Sequence, residues 1–244
     1  MTYQWHWSVF LERSPEENGT YLDTLLLGLQ TTLATAAAAW ILALALGSLV
    51  GILGTLPSKS ARVLTAAYVE LFRNVPLLVQ LFLWYFVLPE MLPFAVGSWL
   101  KQLPDASFVT AVIGIGFFMS ARVAEGVRAG IEALPAGQRL AGAALGLTTA
   151  QVYRHVLLPQ AFRLTLPPLT SELLNTIKNT SVALAIGLAE VMARARAMQE
   201  FSFQVFEAFT AATLIYLAIN LVVTLLMRAL ERRVAMPGSG SGPP

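Results

Sequence analysis

No aspartate, glutamate, lysine or arginine occurs between Asp23 and Lys59, and leucine, alanine, isoleucine, valine and glycine fill most of that gap. About 20 apolar residues suffice for an α-helix to cross the hydrocarbon core of a bilayer. Within that core every backbone N–H and C=O must be paired inside the segment, so a chain with such a run is committed to helices. The run from about Leu22 to Leu56 exceeds one crossing; its start reads as an interfacial lead-in and its core as residues 32–53. It stops at Pro57-Ser58-Lys59-Ser60. Gly47, Gly51 and Gly54 fall three or four apart, on one face where another helix can come close.

Four more apolar runs follow, at about residues 63–88, 108–127, 164–188 and 206–227. The second ends before Pro89, with Trp84 and Tyr85 at interfacial depth, and a loop over residues 90–107 leads to the third. The fourth is expected to be discontinuous, broken by Pro167-Pro168 and by the polar group Asn175 to Ser181, which is tolerated where protein or a water-filled cavity satisfies the backbone. The expected fold is thus an all-α membrane protein with about five transmembrane helices. Composition agrees: 12% of the residues are charged and 56% hydrophobic, against about 25% charged in a soluble domain. The net charge of +2 provides no basic stripe for nucleic acid. The lack of cysteine removes disulfides and thiolate metal sites, and no metal site is expected.

Residues 1–20 have no basic region before an apolar stretch and read as an external tail, not a signal peptide, with Trp5 and Trp7 suited to a bilayer interface. Five crossings place Lys59, Arg62, Arg128, Arg139, Arg154, Arg163, Arg228, Arg232 and Arg233 on one side and Arg13, Lys101, Arg194 and Arg196 on the other. The richer side is expected to be cytoplasmic, with the N-terminus outside and the C-terminus inside. Residues 232–244 read as a flexible cytoplasmic tail ending in Gly-Ser-Gly-Ser-Gly-Pro-Pro.

Between Arg128 and Arg163 small, basic and apolar residues mix without an apolar run, which marks a loop outside the membrane. Its spacing predicts helix, turn, helix. Pro135 suits a first turn, Gly146 a left-handed helix end, and Thr148-x-x-Gln151 a capping box opening a second helix that ends before Pro159. The small residues Ala141, Gly142, Ala143 and Ala144 would let another protein approach the backbone.

Leu140-Ala141-Gly142, Gly146 and Val156-x-Leu158-Pro159 resemble, at matching offsets, the cytoplasmic loop motif of ABC importer permeases. More of the chain, from about Tyr21 to Val234, is similar to the polar amino-acid uptake branch. Glu70-Leu-Phe-Arg73-Asn-Val-Pro76-Leu-Leu-Val-Gln80 looks like its second-span motif, Ala124-Glu125 through Arg128-Ala-Gly130-Ile131 like the end of its third span, and Ile177-Lys178-Asn179-Thr180-Ser181 like the break in its fourth. The resemblance implies a type I transmembrane domain over residues 21–231, with a coupling loop at about 129–163 whose Leu140, Ala141, Gly142, Gly146, Val156, Leu158 and Pro159 dock on an ATPase. Leu140 stands where the family carries an acidic residue and Gly142 where it carries a second alanine, so the expected fit is one of shape. The implied partners are an ATPase dimer, a second permease chain, identical or homologous, an external solute-binding protein and the lipid of a bacterial cytoplasmic (inner) membrane. No G-x-x-x-x-G-K-[ST] loop occurs, so no cofactor is expected in this chain, and ATP and magnesium belong to the partner.

A charge near the bilayer centre costs on the order of 2.5–3.5 kcal/mol on insertion scales, so each needs a partner or a cavity. Glu70 with Arg73, and Glu125 with Arg128, fall three apart and are expected to form structural ion pairs. Arg122 lies deeper in the third span, at a position that is commonly aromatic in the family. A guanidinium holds a carboxylate through two parallel hydrogen bonds, and with Arg122 the chain looks most similar to the glutamate/aspartate branch. Arg122, with Lys178, Asn175 and Asn179 at the helix break, is therefore the expected substrate site; the competing reading has Arg122 neutralise Glu125. Permeases for other polar amino acids and an ion-coupled secondary transporter are the alternatives, the latter lacking convincing internal repeats. An intramembrane hydrolase is disfavoured, since no span carries a histidine and no HExxH motif occurs; no catalytic residue is expected.

Overall fold

The computed structural model describes residues 3–234, which form helices throughout apart from short connections and one isolated bridge between Arg13 and Thr20. Of the tail expected at 232–244, residues 232–234 are helical and residues 235–244 lie outside the described residues. Helix α1 (Tyr21–Thr55) starts at a capping box in which the Asp23 carboxylate accepts from the Thr20 N–H at 2.8 Å and Thr20 Oγ1 accepts from the Asp23 N–H at 3.3 Å.

The bend that follows replaces the straight second span expected at 63–88. Helix α2 (Lys59–Asn74) meets the next helical stretch, Leu77–Met91, at 98°. Pro76 cannot donate and holds Val75 extended (φ −87°, ψ 128°), which ends α2. The buried Gln80 side chain then donates to the carbonyls of Phe72 at 2.8 Å and Val75 at 2.9 Å, pairing oxygens that the break would orphan. The second stretch comprises α3 (Leu77–Phe82), a π-turn at Leu83–Val87 and α4 (Leu88–Met91), so it runs through Pro89 instead of stopping before it. In the π-turn the Leu88 N–H reaches back to the Leu83 carbonyl; the wider turn accommodates the proline, which has no donor for an α-helical bond. The expected loop 90–107 contains α5 (Phe94–Lys101).

Helix α6 (Ala106–Glu132) lies along α1 through the glycine face. A Cβ on Gly47 would sit 2.6 Å from the Ser120 carbonyl oxygen, and one on Gly51 2.6 Å from that of Ala124. Partner numbers rise together, so the two helices run parallel. Gly54 faces α2 instead, where its Cβ would meet Thr65 Oγ1 at 3.2 Å.

Helices α7 (Ala136–Ala144) and α8 (Thr149–Val152) form the expected hairpin, but the second helix does not end before Pro159. A π-turn at Tyr153–Leu157, in which Leu158 N–H bonds the Tyr153 carbonyl, carries it into α9 (Leu158–Asn179) by the device used at Pro89. Pro167-Pro168 likewise leave α9 unbroken, contrary to expectation. Pro168 borders a polar cavity. The break comes at the polar group instead, where a 3₁₀ turn (Thr180–Ile186) ends in left-handed Gly187 (φ 84°).

Helix α10 (Val191–Ser202), which the apolar pattern did not announce, and α11 (Val205–Val234) complete the chain. Among the described residues three helices, α1, α6 and α11, are long and apolar enough to cross a membrane unaided, and the bent α2/α3–α4 pair makes a fourth at most. Helix α9, the remaining expected crossing, is too polar to qualify; it packs between α6 and α11. Helix α9 is antiparallel to α6, with Thr165 against Gly130 and Asn179 against Met119. It is also antiparallel to α11, with Ile177 by Ile219 and Thr170 donating to Glu231 at 2.6 Å. The ends of α1, α6 and α11, the hairpin and the larger basic group therefore share one pole of the bundle.

Residues 3–20 pack at the opposite pole. Val9 is buried with Tyr21, Leu25, Val191 and Met198. The buried Glu207 carboxylate accepts from the Tyr3 hydroxyl and from the His6 N–H at 2.7 Å, and Arg194 pairs with Glu17 and, at 3.3 Å, with Glu16.

Candidate functional site

Two local sites emerge. At the first, α7 ends in a Schellman motif: Leu147 N–H bonds the Gly142 carbonyl at 3.1 Å, Gly146 N–H bonds that of Ala143 at 3.0 Å, and Gly146 takes φ 76°. The predicted box then opens α8, with the Thr148 N–H on Gln151 Oε1 at 2.8 Å and the Gln151 N–H on Thr148 Oγ1 at 3.4 Å. Gly142 is buried against Val152, whose Cγ2 would lie 2.8 Å from an added Cβ.

The seven expected docking residues consequently divide. Leu140, 71% exposed, with Ala141, Gly146 and Pro159, faces outward. Gly142 faces inward, and the partly buried Val156 and Leu158 pack on the main core. Their contribution is to fix the hairpin's shape. Leu145, which the docking motif does not include, is at 80% exposure the most exposed large apolar side chain of the hairpin.

At the second site, a cavity of about 310 Å³ lies between α6 and α9, walled by Arg73, Arg122, Glu125, Pro168, Leu169 and Glu172. A neighbouring cavity of about 360 Å³ between α1, α2 and α6 shares Arg73 and Glu125 and adds Arg62, Glu70, Arg128 and Glu132. Of the two expected ion pairs, one forms. Glu125 accepts from Arg128 at 2.9 and 3.3 Å, and Arg128 also reaches Glu132 at 2.8 Å. Glu70 instead accepts from the Asn74 amide at 2.6 Å, one helical turn on, and makes no pair with Arg73.

Arg122 does not pair with Glu125, which Arg128 occupies. Its guanidinium lies 5.3 Å from the Phe118 ring centroid, a cation–π arrangement. Asn175 donates to Glu172 at 3.3 Å, and Asn179 approaches Met119 Sδ at 3.3 Å. The seam between α6 and α9 thus brings Arg122, Asn175 and Asn179 into one region, while Lys178 is exposed beside it.

The roles of four polar residues escaped the sequence reading. Glu172, in the cavity wall, was detectable as a carboxylate within an apolar stretch. Glu190 is fully buried at the start of α10, where it accepts from the Ala193 N–H at 2.8 Å and the Tyr216 hydroxyl at 2.5 Å. The clasp made by Glu207 depends on distant partners and carries no local signal, whereas Gln80 reaches carbonyls only five and eight residues before it, across a bend that the apolar run hid.

A family model described as the binding-protein-dependent transport system inner membrane component matches residues 43–236. The glutamate/aspartate import permease protein GltJ of Escherichia coli (strain K12) is 45% identical over 245 residues, spanning 99% of this chain and 100% of that protein. The probable amino-acid ABC transporter permease protein PatM of Vibrio harveyi is 44% identical over 161 residues, 66% of this chain and 69% of that protein. Among solved structures, an amino acid ABC transporter with histidines superimposes with a TM-score of 0.75 at 30% identity, covering 87% of this chain and 95% of that one.

Proposed function

The chain belongs to the family of inner membrane components of binding-protein-dependent transport systems, and from that premise we propose that it is a permease subunit of an ATP-driven importer for glutamate and aspartate. The observation that carries this reading is the end-to-end likeness to the glutamate/aspartate permease. The cavity supports it, because Arg122 has no carboxylate partner of its own among the described residues and offers a planar fork to an incoming one.

In this mechanism an external binding protein delivers the amino acid, and this chain supplies part of the path between α6 and α9. Arg122 holds a substrate carboxylate, Asn175, Asn179 and Lys178 add polar lining, and Glu172 accepts from the α-ammonium group. ATP is hydrolysed in a separate ATPase dimer. The exposed Leu140 and Leu145 seat in that dimer, and its closure moves the hairpin and switches access to the cavity by stabilising one of two conformations. A second permease chain completes the path. The basic pole faces the cytoplasm and residues 3–20 face outward.

The test is reconstitution with the ATPase, partner permease and binding protein in vesicles. ATP-dependent uptake of labelled glutamate, competed by aspartate and not by glutamine or arginine, is expected. Competition by glutamine or arginine alone refutes the substrate, and uptake without ATP refutes the class.

A further inference from the structure

We propose that Tyr153 is a positioning residue for energy coupling: its hydroxyl ties the hairpin to the end of α1, so that hairpin displacement enters the α1–α6 pair directly. This rests on the hairpin being the ATPase contact.

Tyr153 is buried, at 7% exposure, and opens the π-turn between α8 and α9. Its hydroxyl lies 2.8 Å from the Thr55 carbonyl oxygen, to which it donates, and 3.0 Å from Thr55 Oγ1. Among the described residues these are the only side-chain hydrogen bonds joining residues 136–157 to α1, α2, α6 or α11. Thr55 is the last residue of α1, and the chain leaves the helix at extended Leu56, so the helix-end carbonyl depends on a donor from elsewhere. Tyr153 supplies that donor in a buried place, where an unpaired carbonyl is costly.

The tie continues in both directions. On the hairpin side the Arg139 guanidinium of α7 lies 5.8 Å from the Tyr153 ring centroid, one residue from outward-facing Leu140. On the other side, Thr55 lies one turn beyond Gly51, whose backbone contact with Ala124 locks α1 to α6. Arg122 is two residues before Ala124. A route of packed, bonded groups therefore runs from the ATPase-facing tip to the candidate substrate site, and Tyr153 to Thr55 is its polar joint.

The complete transporter in vesicles provides the test, with amino acid taken up per ATP hydrolysed as the readout. Tyr153→Phe is expected to lower that ratio about five- to tenfold while hydrolysis stays within twofold. 4-Aminophenylalanine at position 153, which keeps a donor in place, is expected to restore it. Thr55→Val keeps the carbonyl acceptor and is expected to stay within twofold of the wild type. Should the phenylalanine variant not assemble, 4-methylphenylalanine, similar in length to tyrosine and without a donor, takes its place. An unchanged ratio, a proportional fall of uptake and hydrolysis, or no rescue by the amine overturns the proposal. A wild-type transporter without ATP-dependent uptake would instead refute the importer reading, whatever position 153 carries, and the proposal with it.

Discussion

Replacing Gly51 with alanine tests the contact that holds α1 to α6. The new Cβ would lie 2.6 Å from the Ala124 carbonyl oxygen and 2.9 Å from Val127 Cβ, so the first contact falls short of the 3.4 Å where ordinary contact begins. Neither obstacle is the end of a flexible side chain, so the helices must part by several tenths of an ångström along the seam. Overpacking of this kind costs about 1–3 kcal/mol, and the widened gap also loses dispersion contacts. Alanine's better helix propensity returns about 1 kcal/mol. The expected net loss is about 1–2 kcal/mol, or roughly 2–8 °C in melting temperature for a chain of this size. Gly137, in exposed α7 with nothing within 4 Å of an added Cβ, provides the internal control. Gly137→Ala should be neutral or stabilising by up to about 1 kcal/mol. Gly47→Ala combined with Gly51→Ala should cost less than the sum of the two, because one parting of the helices serves both. Thermal unfolding of the purified protein in detergent reads all four. A Gly51→Ala protein melting at or above the wild type would refute the backbone-contact argument.

Gln80→Leu leaves the Phe72 and Val75 carbonyls without their donor and is expected to destabilise by about 1–3 kcal/mol in the same melt; an unchanged midpoint would mean that another donor caps the bend. Arg122→Tyr should weaken acidic amino-acid uptake about 10- to 100-fold, the worth of a charge-assisted bidentate contact, with Arg122→Lys intermediate; unchanged uptake in both removes Arg122 from the site. Because the chain has no cysteine, Leu145→Cys gives one labelling position at the hairpin tip. In cells lacking the ATPase that would cover it, it should react with impermeant thiol reagents only after the membrane is opened, and labelling of intact cells would reverse the orientation.

Features decided within a few neighbouring residues were legible in advance. The Gly47 and Gly51 face, the left-handed Gly146 and the Thr148 box need only local geometry, and each takes the form its residues specify. Proline was the recurrent source of error. Pro76 breaks a run that looked continuous, whereas Pro159, Pro167 and Pro168 stay inside one helix, with a wide turn just ahead of the first of them. Sequence spacing also offered Arg73 for Glu70, but three-residue separation permits a pair without requiring it, and Asn74 lies closer to the carboxylate. Helix α10 lacked an apolar run because neighbours from residues 3–20 and α1 cover one face of a short helix. Its Glu190 reads as a surface residue until Tyr216 is brought beside it from another helix.

The wide turn at Tyr153–Leu157 sets an angular phase. Each residue of an α-helix advances the side chains by about 100°, so one extra residue in a turn offsets everything after it by about that amount. The direction in which the hairpin tip points and the face that α9 presents to α6 are thereby indexed to each other by a single added residue. Closing the turn to α-helical bonding with all its residues kept would swing Asn175 and Asn179 away from α6, whereas deleting one residue between Ala150 and Leu157 would restore α-helical bonding with that face preserved. The two lengths of this stretch that keep the hairpin and α9 in register are thus the present one and one residue fewer, each with its own bonding pattern.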